Sequence, residues 1–150
     1  MLIDYFDAEP TVFASIRRSV GEIYVVSCIL QEVEQLDALQ AVELGLQVFE
    51  PDLELMNSAA TSRGRLSFRD RLCLAVARSE GMTCVTNDTA LRTHCTENSV
   101  EVLWGLELIL LAVEAGGLLA SEAREIGETI CQLNPFIGED VLARFLAKLR

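Results

Sequence analysis

Residues 66–91 read LSFRDRLCLAVARSEGMTCVTNDTAL, and this stretch sets the class of fold. Ser67 is followed three residues on by the acid Asp70, ahead of an apolar run, the pattern of a capped helix start. The spacing predicts a helix from Ser67 to Glu80, stopped at Gly81 because glycine readily takes the left-handed backbone that closes helices. A β-branched stretch over 83–86 follows and ends in Asn87-Asp88, so it reads as a short strand. One carboxylate therefore stands in the first turn of a helix and another just past the end of a strand. In parallel α/β sheets, ligands gather at strand ends. Two acids delivered there by different elements suit a hard cation such as Mg²⁺, which prefers carboxylate and water oxygens.

Outward from this unit, helical and extended patterns alternate. Residues 9–19 read as helix, with Val12, Phe13 and Ile16 on one face, and 22–27 as strand. Residues 29–36 and 38–44 read as helix broken near Asp37. Strand 46–49 closes on Glu50-Pro51, and Asp52 is the expected N-cap of a helix over 52–60. A short helix over 89–96 and a strand over 100–103 come next. Residues 106–115 form a helix apolar nearly all round, hence buried or at an interface, ended by Gly116-Gly117. Helices over 121–133 and 139–149 complete the chain; the second carries Leu142, Phe145, Leu146 and Leu149 at helical spacing. Such alternation predicts an α/β protein with a parallel sheet covered by helices. The 150 residues are expected to make one domain.

Net charge is −11, which argues against broad coating of nucleic acid but not against a carboxylate metal site, itself acidic. Eleven of the twelve basic residues are Arg and only Lys148 is Lys. Arginine is suited to bidentate phosphate contact. Five scattered cysteines, with no C-x-x-C pair, read as reduced, buried thiols and a cytoplasmic location. No signal peptide is visible at MLIDYFD, the apolar run 108–113 is far too short to span a membrane, and no membrane partner is expected.

Glu32 in ILQEVEQL, Asp70 in LSFRDRLCLAVA and Asp88 in CVTNDTALR resemble the acidic motifs of the PIN domain. The resemblance covers nearly the whole chain, from LIDYFDAEP at the start to VEVLWGLELIL after the last strand. It implies a PIN-like parallel sheet flanked by helices. It also implies a Mg²⁺- or Mn²⁺-dependent endoribonuclease, with Glu32, Asp70 and Asp88 as catalytic metal ligands. RNA is then the expected substrate, and many such proteins are toxins held by an antitoxin protein. The family pattern opens with a strand ending in Asp a few residues before a LID-like tripeptide. Here Leu2-Ile3-Asp4 matches only the tripeptide. The first central strand and its Asp are therefore expected to be truncated, the biological start to lie upstream, and the chain as given to be a homodimer or otherwise rearranged.

The same residues carry plainer readings. Asp70 fits a capping box with Ser67, and Asp88 fits the N-cap of the helix that follows. Glu32 stands on a predicted amphipathic helix beside Glu34. Arg63, Arg65, Arg69 and Arg71 crowd around Asp70; Arg69 and Arg71 are the two expected to contact RNA phosphates, the alternative being a solvated face. His94 with Cys84 and Cys95 lacks a fourth ligand at zinc spacing. Trp104 and residues 106–111 read as core or dimer interface. The second functional reading is a PIN-fold binding protein with impaired catalysis, acting through a partner or a homodimer.

Overall fold

The computed structural model describes residues 1–149. Its elements run α1 (Leu2–Ala8), α2 (Val12–Ser19), β1 (Ile23–Val26), α3 (Ser27–Leu30), α4 (Ala38–Glu43), β2 (Leu46–Phe49) and α5 (Leu53–Thr61). They continue with α6 (Phe68–Glu80), β3 (Cys84–Val85), α7 (Thr89–Glu97), β4 (Val102–Leu103), α8 (Gly105–Glu114), α9 (Ala120–Leu133) and α10 (Glu139–Lys148). The protein is mixed α/β, with two small parallel sheets, β1–β2 and β3–β4. In the second, Cys84 pairs with Val102 and Val85 with Leu103.

Several elements form where their local signals stand. Asp52 caps α5 by accepting the Leu55 N–H at 2.9 Å. Ser67 caps α6, accepting the Asp70 N–H at 3.1 Å. Gly81 ends that helix in left-handed backbone, φ 64°, at a position where a Cβ is penalised. Asp88 caps α7.

Residues 2–8, to which the sequence reading assigned no element, are helical. One stretch differs from that reading. Residues 31–37 are not helical, so Glu32 sits in a turn after α3 and not on an amphipathic helix. There the bonds run three residues apart: Glu32 N–H to Ile29 O, Val33 N–H to Leu30 O, Leu36 N–H to Val33 O. Leu30, Val33 and Leu36 are all buried. An apolar repeat of three suits tight 3₁₀-type turns, whereas an α-helix would swing the third side chain off the buried line. The expected single parallel sheet is likewise divided in two, β1–β2 and β3–β4, the strands of the second only two residues long.

The chain divides into two units. The first holds Met1–Ile23, Leu39–Gln47 and Gly105–Arg150; the second holds Tyr24–Ala38 and Val48–Trp104. In the first, α9 packs on α1, α8 and α10, and α2 packs on α8. Tyr5, Phe13, Ile109, Ile130 and Phe145 are buried there. The Tyr5 and Phe13 rings meet edge to face at 5.7 Å, and the Tyr5 hydroxyl donates to Gly105 O, so the buried phenol is satisfied.

In the second unit α6 is the spine, packed on α5, α7 and β3. Leu72 and Val76 join Val26 and Ala59 in one apolar cluster. Ala77 joins Leu66, Cys84, Leu91, Cys95 and Val100 in another. Leu72 is fully buried, which contributes about 1.5–3 kcal/mol. Among the described residues no helix is long and apolar enough to cross a membrane.

Candidate functional site

All three sequence-predicted acids belong to the second unit. Helix α6 and β3 are joined by a short turn and pack on each other, so β3 runs back along the helix. Asp70 stands in the first turn of α6 and Asp88 three residues past β3, beyond a turn closed by Thr86, so both carboxylates lie towards the end of the α6–β3 pair away from Gly81. Asp70 also acts electrostatically on two thiols of this unit. Burial pushes the Cys73 thiol up to about 12, and the Asp70 charge adds to the rise. Burial also raises the Cys84 thiol on β3, with Asp70 again a contributor.

Asp70 is half-buried. Its Oδ2 accepts the Ser67 hydroxyl at 2.7 Å, while Ser67 Oγ accepts the Asp70 N–H. The cap and the candidate ligand are thus one group with two faces. Asp88 is exposed. Its Oδ1 accepts the Leu91 N–H at 2.7 Å, and its own N–H donates to Thr86 Oγ1 at 3.1 Å. Thr86 is buried, so the turn that presents Asp88 is anchored in the interior. Glu32 is brought to the first turn of α6 by Arg69, whose guanidinium pairs with Glu32 Oε1. Both partners of that pair are about half exposed, at 48% and 45%. Arg69 and Glu32 both act on the Cys28 thiol, which burial raises and Arg69 lowers.

Arg69 and Arg71 point apart. Two residues apart on a helix, they point about 200° from each other. Arg69 turns to Glu32; Arg71 Nη1 turns the other way and donates to Ser62 O at 2.9 Å. The residue whose part the sequence reading missed is Arg92. It lies one turn past Asp88, its N–H bonding Asp88 O at 3.0 Å, and its guanidinium stacks on Trp104 at 3.9 Å. Trp104 is 36% exposed, a partner for a cation rather than simple core. The four-residue step from Asp88 to Arg92 is the signal that could have found it.

The donor set is chemically suited to a hard divalent cation, being all carboxylate oxygen. Placement is another matter: among the described residues no group of three or more His, Cys, Asp or Glu side chains could hold a metal ion. Glu32 is committed to Arg69, and Asp70 and Asp88 each spend one oxygen on a cap. Zinc chemistry finds no group either; Cys84 and Cys95 are buried, free thiols. Comparison with known proteins returns no match: no family model, no curated relative and no solved structure aligns with this chain.

Proposed function

We propose that this chain is a PIN-like, Mg²⁺- or Mn²⁺-dependent endoribonuclease, of the kind that serves as a toxin checked by an antitoxin protein. The observation that carries the reading is the return of Asp70 and Asp88 to one end of the α6–β3 pair, with Glu32 tethered to the same first turn by Arg69. A bound divalent ion would supply Lewis acidity and an activated water. The chain's own part is to present the three carboxylates, Asp70 and Asp88 each engaged at a helix start, and to keep Arg69 beside Glu32. Arg69 balances Glu32 when no cation is present; a ligand role for Glu32 requires that pair to open.

The test is cleavage of a labelled single-stranded RNA by the full chain, with Mn²⁺ and with EDTA. Asp70→Asn and Asp88→Asn keep size and capping ability but remove charge, so cleavage should fall at least about a hundredfold while the circular dichroism spectrum stays the same. Cleavage that persists in EDTA, or in both variants, overturns the reading.

One observation favours a second reading. With Glu32 paired to Arg69 and no three-donor group among the described residues, the chain also fits a PIN-fold binding protein with impaired catalysis. Metal-free binding of a partner protein, without RNA cleavage under any divalent ion, selects that reading over the first.

A further inference from the structure

An open groove of about 650 Å³ lies among α5, α6 and α7 within the second unit. Arg63, Arg71 and Arg78 line it, with His94. In a chain of net charge −11, three arginines in one groove are a local reversal of sign. Among the described residues none of the three is in an ion pair. Arg71 Nη1 is held by the neutral Ser62 carbonyl, and Arg78 Nη1 by Asn98 Oδ1 at 3.3 Å. Arg71 Nε is buried with no acceptor, donor capacity that an entering oxyanion can take up. Asp52 and Glu54 also line the groove, but Asp52 is turned to the α5 backbone as its cap.

We propose that this groove binds the phosphodiester backbone of a single nucleic-acid strand. Arg71 and Arg78 lie two turns apart on α6, about 10 Å. Successive phosphates of a strand can serve arginines at that spacing. The volume is that of a ligand-sized segment, a few nucleotides of one strand. Arginine forks match phosphate oxygens, and the lining Ser58 and Ser62 offer hydroxyls of the kind that position a backbone. His94 is the one aromatic ring in the lining and no Phe, Tyr or Trp joins it, so base stacking is limited to that imidazole and sequence preference is weak. Arg71 is one residue from Asp70, so the strand leaves the groove near the first turn of α6. The inference deepens the nuclease reading and rests on it for the class of ligand; the groove's charge stands apart from it.

The experiment is fluorescence anisotropy of the full chain with a short, labelled, mixed-sequence single-stranded RNA, in EDTA, across a salt series. Arg63→Gln and Arg78→Gln replace exposed side chains and should each weaken binding about fivefold and lower the salt slope by about one, equally for different sequences. Arg78→Lys should restore the slope. Three results overturn the proposal: no saturable binding, binding unchanged in both Gln variants, or equal displacement by a polyglutamate of matched charge. Displacement by inorganic phosphate as readily as by unlabelled RNA assigns the groove to free phosphate and also overturns it. If binding behaves as expected but Mn²⁺ yields no cleavage, the nuclease reading fails and the groove stands. If RNA is cleaved while the Gln variants bind like wild type, the groove fails alone.

Discussion

Arg69 decides how Glu32 is read. The pair is half exposed on both sides, so it is worth at most about 1 kcal/mol after solvent screening. Arg69→Gln should therefore change stability by less than that. It should also free the Glu32 carboxylate, so calorimetry should find tighter Mn²⁺ binding than in wild type. An unchanged affinity removes Glu32 from the ligand set. The thiols make a separate statement about pH. Burial raises Cys73 to about 12 from an ordinary 9.0 and raises Cys84 as well. A thiol with a raised pKa holds its proton more tightly folded than unfolded. Its contribution is complete below about pH 9 and declines as pH climbs towards 12. The urea midpoint should thus fall between pH 9 and 11, and Cys73→Ala should flatten that fall. Thiol reagents at neutral pH should reach the buried Cys84 only after unfolding; prompt labelling of Cys84 in the native chain, read by peptide mapping, contradicts its burial.

Helix α9 is pressed against α10 at a point the sequence does not advertise. Gly127 is buried in mid-helix, where glycine ordinarily costs about 0.5–1 kcal/mol relative to alanine. Here a Cβ would run into the ring of Phe145. Gly127→Ala should therefore destabilise by about 1–3 kcal/mol through overpacking instead of stabilising. Adding Phe145→Leu should recover part of the loss, measured as the shift in denaturant midpoint at constant slope. Other elements were legible beforehand. The span of β2, the caps of α5, α6 and α7, and the stop at Gly81 all follow from residues within one turn of the position concerned. The turn that holds Glu32 was not legible, because a three-residue apolar repeat and a helical one share their first step. It took the burial of Leu30, Val33 and Leu36 together to choose between them.

The two-stranded sheets leave β1 and β3 in different sheets, where the sequence pattern predicts one. We expect the chain to associate in solution, given large apolar side chains at its surface. Phe136 is 96% exposed and Leu39 69%, apolar area that a second copy can remove from water. Size exclusion with light scattering should give about twice the monomer mass of 16.5 kDa. Phe136→Ser and Leu39→Ser together should shift it towards the monomer. A monomer at every concentration with Mn²⁺-dependent cleavage intact would show that the activity needs no second copy.

What the amino acids settled on their own is local: an α/β alternation, the caps, the glycine stops, the free thiols and an acidic chain whose cations are arginines. Each depends on backbone preferences and hydrogen bonds spanning a few residues, so each can be read in order along the chain. What only the folded chain settled is which side chains meet. Arg69 goes to Glu32 and Arg71 to the opposite groove because a helix turns about 100° per residue and because α5 and α7 lie on the side that Arg71 faces. Arg78 finds Asn98, and Arg92 finds Trp104. These contacts join residues from separate elements, and their geometry is set by the packing of α6 on its neighbours, which local preferences do not encode.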